Sequence, residues 1–157
     1  MLDGPGVVAA LVQSGYTDVV WLPDSELGRW QDALFQCAGL RLVRVCREGE
    51  AFALAAGLLL GGRRPIVLLQ CTGFFEAGDA FRNVVHDLRL PVQVIVGVRS
   101  WKAHQQGKST DTCPLFIEPI VEGWRIPYSW LDESHGPADL ARLLQQSTGP
   151  QVILLAE

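Results

Sequence analysis

Three stretches of this chain are apolar at nearly every position, which restricts the fold more than any other feature. They are Pro65–Gln70, Pro91–Val98 and Gln151–Ala156. A short continuous apolar run is typical of a strand that is buried on both faces, as in a parallel sheet covered by helices. Three shorter runs complete six predicted strands: Asp18–Leu22, Leu40–Cys46 and Pro127–Leu131.

Helical patterns separate the predicted strands along the whole chain. Right-handed crossovers then bring the strands together in one parallel sheet. We therefore predict a single domain, residues 1–157, with a three-layer α/β/α fold around a six-stranded parallel sheet. The predicted helices are Val7–Gln13, Leu27–Cys37, Glu48–Leu60, Glu76–Leu88, Cys113–Trp124 and Pro137–Gln146, and Ser100–Asp111 is predicted as a polar loop.

Composition excludes several classes of partner. The net charge of −4 gives no basic surface, so we expect no nucleic-acid partner. The most apolar segment, Ala51–Leu60, is too short to span a bilayer, and we expect no membrane association. The beginning of the chain lacks the basic and apolar regions of a signal peptide, and the four cysteines lack metal-type spacing. These observations favour a cytoplasmic protein with free thiols.

Ligands in parallel α/β sheets bind at the carboxyl ends of the strands. The segments that follow the predicted strands at this edge are therefore the candidate site. They are Pro23–Ser25, Arg47–Glu48, Gln70–Gly73, and Arg99–Ser100 with the polar loop after it.

Glu48 is the most informative residue at this edge, because it introduces a helix that is otherwise almost wholly apolar. Such an acid is either a first-turn residue favoured by the helix dipole or a group that acts on a ligand in a cleft. Glu50 is the rival acid for the ligand-binding role, but it faces a different side of the helix.

The common nucleotide-binding and hydrolase motifs are absent. The sequence has no G-x-G-x-x-G after the first strand, no P-loop and no G-x-S-x-G. The three histidines are scattered, so we expect no metal site on this chain.

Four segments carry a family resemblance, each at the end of a predicted strand. Arg47–Gly57 (REGEAFALAAG) resembles the glutamate motif in the pyrimidine-binding domain of thiamine diphosphate enzymes, and most closely that of phosphonopyruvate and sulfopyruvate decarboxylases. Leu22–Leu27 (LPDSEL) resembles their V-P-D-S-x-L, and Pro65–Gly73 resembles P-V-V-x-M-Q-N-S-G. Leu90–Ser100 is similar to x-P-V-x-x-I-x-G-x-R-G.

The resemblance implies a role for each matching residue. The Glu48 carboxyl would hydrogen-bond N1′ of the aminopyrimidine and promote deprotonation of the thiazolium C2, so that a 2-oxo acid loses carbon dioxide. Gln70, Thr72 and Gly73 would lie beside the aminopyrimidine. The alternative for these three is an ordinary strand-to-helix turn in which Gly73 has a positive φ. Asp24 would handle protons near the substrate, although Asp24 or Ser25 could equally cap the next helix.

The substrate is less well defined than the reaction. Ser25, Arg99 and His104 are tentative substrate-binding residues, and His104 with Lys102 lies in a loop that is either a lid or simply solvated. The family's L-G-N after S-G is replaced here by Phe74–Glu76, and its Q-H by Pro114–Leu115. Glu76 would oppose an anionic phosphonate or sulfonate if it pointed inward.

The family's diphosphate motif, G-D-G followed by a distant asparagine, is also missing. The resemblance therefore implies an α subunit whose β subunit binds the diphosphate and Mg²⁺, in a hetero-oligomer with the active site between the chains. Phe74, Phe75 and Trp101 are predicted as exposed interface residues. Two alternatives remain open: half of a carboligase, or a non-catalytic member of the fold that binds or regulates a partner.

Overall fold

The computed structural model describes residues 2–157 and contains the predicted six-stranded parallel sheet. The strand order is β2-β1-β3-β4-β6-β5, and every neighbouring pair is parallel. The strands are β1 (Asp18–Trp21), β2 (Arg41–Arg44), β3 (Pro65–Gln70), β4 (Gln93–Val98), β5 (Tyr128–Leu131) and β6 (Gln151–Ala156).

Helices cover both faces of the sheet, so the fold is a three-layer α/β/α sandwich. Two of the predicted helices, Glu48–Leu60 and Pro137–Gln146, have the predicted bounds. The α-helices are α1 (Gly4–Gln13), α2 (Gln31–Gln36), α3 (Glu48–Leu60), α4 (Cys71–Glu76), α5 (Gly78–Arg82), α6 (Trp101–Gln105), α7 (Cys113–Gly123) and α8 (Pro137–Gln146), with a 3₁₀ turn at Gly28–Trp30 and a π-helical turn at Asn83–Asp87.

Two apolar clusters hold the layers together, one on each face of the sheet. Alternate side chains of each central strand enter the two clusters, as in Ile66 and Val67 of β3. One cluster joins the sheet to α1, α2 and α8, and the other joins it to α3, α4, α5 and α7. Strands β3, β4 and β6 are buried almost throughout, which explains why their sequences are apolar on both faces.

Three element predictions are wrong in detail. The helix predicted from Glu76 begins at Cys71, directly after β3, and a π-helical turn interrupts its continuation. The predicted polar loop contains α6, which follows Ser100 in the left-handed region (φ 60°). The helix predicted over Leu27–Cys37 is a 3₁₀ turn followed by the short α2.

None of the helices formed by residues 2–157 combines the length and the apolar character needed to cross a membrane.

Candidate active site at the carboxyl edge of the sheet

The strand order reverses between β1 and β3, and sheets of this kind form a ligand-binding crevice at the carboxyl edge of such a reversal. After β1 the chain goes to β2 on one side, whereas after β3 it goes to β4 on the other. The connections therefore leave on opposite faces, and ligands in such sheets bind at this point. Asp24 follows β1, and Gln70 ends β3. Strand β2 is the outer neighbour of β1, and Glu48 begins the helix that follows β2.

Glu48 lies against the first turn of α4 and is packed onto Gly73. A Cβ atom placed on Gly73 would lie 2.6 Å from Cγ and 2.7 Å from Oε1 of Glu48. No side chain larger than hydrogen fits at residue 73 unless Glu48 moves. The structure thus brings together two of the predicted cofactor-binding residues.

Hydrogen bonds at the start of α3 involve the two acids near Glu48 but not Glu48 itself. Glu50 Oε2 accepts from the Cys46 N–H at 3.1 Å, and Glu76 Oε2 accepts from the Gly49 N–H at 3.2 Å. Within residues 2–157, nothing donates a hydrogen bond to the half-buried Glu48 carboxylate. Its acceptor sites are available to a ligand, while Glu50 has a structural role at the helix terminus.

Glu76 also forms an ion pair with Arg47, whose Nε lies 2.7 Å from Glu76 Oε1. The hydrogen bond from Arg47 lowers the pKa of Glu76, so the acid is ionised and neutralised by its partner. The sequence suggested only that Glu76 could oppose an anionic substrate, and it did not predict the contacts of Glu76 with the start of α3. The contact with Gly49 spans 27 positions, and sequence spacing gives no signal for it.

Gln70, Thr72 and Gly73 are not in a turn, because α4 starts at Cys71. Gln70 is the N-cap of α4, and the buried Gly73 lies within its first turn without a positive φ. The alternative in which Gly73 supplies a left-handed turn is therefore wrong. The side chains of Gln70 and Thr72 are half-buried and, across the described part of the chain, have no hydrogen-bonding partner.

Asp24 caps the turn after β1. Its Oδ1 accepts from the backbone N–H groups of Glu26 and Leu27, both at 2.8 Å, and its Oδ2 accepts from the Trp21 indole at 3.1 Å. Asp24 therefore stabilises the turn that leads into the 3₁₀ segment Gly28–Trp30, whose own N-cap, Leu27, makes no side-chain hydrogen bond. The Ser25 hydroxyl is exposed and donates to Glu26.

Gly97 of β4 allows the turn that Asp24 stabilises to pack closely against the end of β4. A Cβ atom at Gly97 would lie 2.9 Å from Glu26 Cβ and 3.2 Å from Leu27 Cδ2. The glycine is therefore needed for close approach of the Asp24 turn to the neighbouring strand end.

Arg99 lies beside the first turn of α4. Its Nε is 2.7 Å from Asp111 Oδ2, and this contact raises the pKa of Arg99. Asp111 also accepts from the Cys113 N–H at 3.0 Å, which, with Arg99, lowers the pKa of Asp111. Burial raises the pKa of the neighbouring Cys71 thiol to about 12, although the Arg99 backbone N–H opposes this effect. Cys71 is therefore a neutral packing residue rather than a nucleophile.

His104 and Lys102 lie on α6, which packs over the ends of β5 and β6. Lys102 Nζ lies 2.6 Å from Glu133 Oε1, and the Lys102 N–H donates to the Glu157 carbonyl at 3.1 Å. This places α6 on the far side of β4 from the β1/β3 crevice.

The predicted exposed aromatic surface is wrong for Phe74. Phe74 is fully buried and packs against Phe52, Phe81 and Trp124, with ring centroids 5.1–6.3 Å away. Phe75 and Trp101 are half-buried, and Trp101 stacks on Trp130 with centroids 3.9 Å apart. The large apolar side chains exposed near this edge are instead Leu115 and Phe116, at the start of α7.

Comparison with known proteins finds distant relatives. No family model matches the chain. Phosphonopyruvate decarboxylases of Streptomyces viridochromogenes and Streptomyces hygroscopicus are 32% and 30% identical over 95 residues, which cover 60% of this chain and 24% of each relative. The sulfopyruvate decarboxylase subunit alpha of Methanococcus maripaludis is 25% identical over 124 residues, or 78% of this chain and 72% of that subunit. The chain thus spans about a quarter of the first two relatives, and the resemblance inferred from the four motifs is confirmed.

Proposed function

We propose that this chain, a distant relative of the sulfopyruvate and phosphonopyruvate decarboxylases, is the pyrimidine-binding α-type subunit of a thiamine diphosphate-dependent 2-oxo acid decarboxylase. One observation carries the proposal. The Glu48 carboxylate lies over Gly73 without a hydrogen bond from residues 2–157, while Glu50 and Glu76 accept from the Cys46 and Gly49 N–H groups. A half-buried acid with vacant acceptor sites is suited to a ligand rather than to helix capping.

The residues at the crevice fit the aminopyrimidine end of thiamine diphosphate. Glu48 would hold and exchange a proton at the ring nitrogen N1′, and Gln70 and Thr72 offer unpartnered polar groups beside it. Gly73 keeps the Glu48 carboxylate close to α4. When bound, the cofactor supplies the electron sink that a 2-oxo acid needs to lose carbon dioxide.

A second chain would supply the diphosphate-binding half and its Mg²⁺. The relative named as a subunit alpha aligns over 72% of its length, and its name implies at least one further subunit. The phosphonopyruvate decarboxylases, by contrast, align over only 24% of their length. In this proposal, residues 1–157 form one pyrimidine-binding domain and the active site lies between the α and β chains.

The substrate would be sulfopyruvate, phosphonopyruvate or a related anionic 2-oxo acid. Glu76 does not oppose such an anion, because Arg47 neutralises it. Arg99, which follows β4 at the same edge of the sheet and lies 2.7 Å from Asp111 Oδ2 through its Nε, would offer a cation to the anionic group. Asp24 would act mainly by shaping the turn, since both of its oxygens already accept hydrogen bonds.

Reconstitution tests the function directly. The chain is co-expressed with a β chain that carries the diphosphate motif, and carbon dioxide release from sulfopyruvate and phosphonopyruvate is measured with thiamine diphosphate and Mg²⁺. Glu48→Gln should abolish release, whereas the matched variant Glu50→Gln should keep it. Full activity of Glu48→Gln would refute the role of Glu48. A complex that neither binds thiamine diphosphate nor consumes either acid would refute the proposed function.

A further inference from the structure

The first turn of α3 is capped by a residue from another helix. Arg47 occupies the N-cap position, where its side chain cannot accept a hydrogen bond from the backbone. The first N–H groups of a helix have no partner within the helix. Glu76, at the end of α4, meets one of these needs by accepting from the Gly49 N–H at 3.2 Å.

The two carboxylate oxygens of Glu76 hold the residues on either side of Glu48. Oε2 accepts from Gly49, and Oε1 accepts from Arg47 Nε at 2.7 Å. The side chain direction of Glu48 depends on the backbone between these two contacts. On its other side, Glu48 already meets Gly73 of the same helix, α4.

We propose that Glu76 is a positioning residue that fixes the first turn of α3 so that the Glu48 carboxylate remains over Gly73. The inference rests on the proposed function for its catalytic consequence, but not for its structural content. Glu76 contacts neither substrate nor cofactor in this assignment and acts only through Glu48.

The contribution of the Arg47–Glu76 ion pair to overall stability should be small. The Arg47 side chain is 77% exposed and that of Glu76 35% exposed, and ion pairs on the surface contribute little to folding. An effect of Glu76 on Glu48 can therefore be separated from an effect on the fold. The pKa of Glu76, lowered by Arg47, keeps both oxygens available as acceptors at neutral pH.

Nuclear magnetic resonance of the 17.2-kDa chain tests the structural part without any cofactor. In the unchanged protein, the Gly49 amide should be protected from exchange, and a nuclear Overhauser effect should join the Glu48 Hγ protons to the Gly73 Hα protons. Glu76→Ala should speed Gly49 exchange about tenfold and remove the Overhauser effect. Glu76→Gln retains an acceptor for Gly49 and should restore both signals. The control Asp79→Ala, which removes the exposed ion pair of Arg82 with Asp79 on α5, should change neither.

Kinetics of the reconstituted complex test the catalytic consequence. Glu76→Ala should lower kcat about tenfold with KM within about twofold, because a displaced Glu48 weakens the reaction step rather than substrate binding. Glu76→Gln should recover most of kcat. If Glu76→Ala leaves the Gly49 amide and the Overhauser effect unchanged, the inference is overturned. If these signals respond but the unmodified complex is inactive, the proposed function fails while the positioning role holds.

Discussion

Gly73→Ala should lower the activity of the complex without lowering the stability of the chain. The three heavy atoms nearest to a Cβ at this position all belong to Glu48: Cγ at 2.6 Å, Oε1 at 2.7 Å and Cδ at 3.1 Å. Ordinary carbon contacts are about 3.5–4.0 Å, so the Glu48 side chain must retreat by about 1 Å. The atoms that must move belong to a flexible side chain rather than to the backbone, and the fold can therefore absorb the change.

The size of both effects follows from this geometry. Gly73 lies in α4 without a positive φ, and replacing a helical glycine by alanine stabilises a helix by at most about 1 kcal/mol. We expect the free energy of unfolding to be unchanged or slightly raised. A misplacement of about 1 Å at a catalytic group costs roughly 100-fold in rate, equivalent to about 2.7 kcal/mol of activation free energy.

Urea unfolding of the isolated chain and carbon dioxide release by the reconstituted complex measure the two effects. Gly57→Ala in α3 is the stability control, because nothing lies within 4 Å of its added Cβ. In a Glu48→Ala background, Gly73→Ala should give its full helical stabilisation, since the obstructing side chain is gone. A Gly73→Ala complex as active as the unmodified one would refute the packing of Glu48 on Gly73 as a determinant of catalysis.

Three further predictions concern the stability of the fold. Asp24→Ala should lower the free energy of unfolding by about 1–2 kcal/mol in urea titration, because the Glu26 and Leu27 N–H groups lose their acceptor; an unchanged midpoint would contradict the capping role. Phe74→Ala should cost about 3–5 kcal/mol by the same measurement, as expected for a fully buried aromatic ring; a cost below about 1 kcal/mol would contradict its place in the core. Burial alone would raise the pKa of Asp18, but hydrogen bonds from Arg63, Thr17 and Arg41 together lower it below 3.8. Its stabilising contribution should thus be complete above about pH 4 and lost as the pH falls through the folded-state pKa, so Asp18→Asn should flatten the acid limb of a stability–pH curve; a parallel curve would exclude Asp18 as the group responsible.

The sequence predicts the sheet well because its signal is strong and local. Strands β3 and β6 and the helices α3 and α8 have the predicted bounds, since continuous apolar runs and flanking glycine or proline define them. The start of α4 was missed because its N-cap position is Gln70, which is not a typical capping residue, and because the helix follows β3 without an intervening turn.

The error at Phe74 follows from that missed junction. Phe74, Ala77 and Phe81 recur at i, i+3 and i+7, which is the spacing of one buried helical face. All three are buried, as this spacing requires. The pattern was present in the sequence, but a helix that starts at Glu76 leaves Phe74 outside it and makes it look exposed.

The position of Glu48 made it a candidate, but its predicted role came from the resemblance, and only the folded chain explains why this acid differs from its neighbours. The positive end of the α3 dipole favours any carboxylate nearby, so the dipole does not discriminate among Glu48, Glu50 and Glu76. Hydrogen bonds do discriminate: Glu50 reaches back to Cys46, and Glu76 reaches across from α4 to Gly49. These two acids accept from the Cys46 and Gly49 N–H groups, and no group in residues 2–157 donates a hydrogen bond to the Glu48 carboxylate. The acid without a structural hydrogen bond is therefore the one left available for a ligand, and the contacts of Glu76 with the two neighbours of Glu48 would hold it in position.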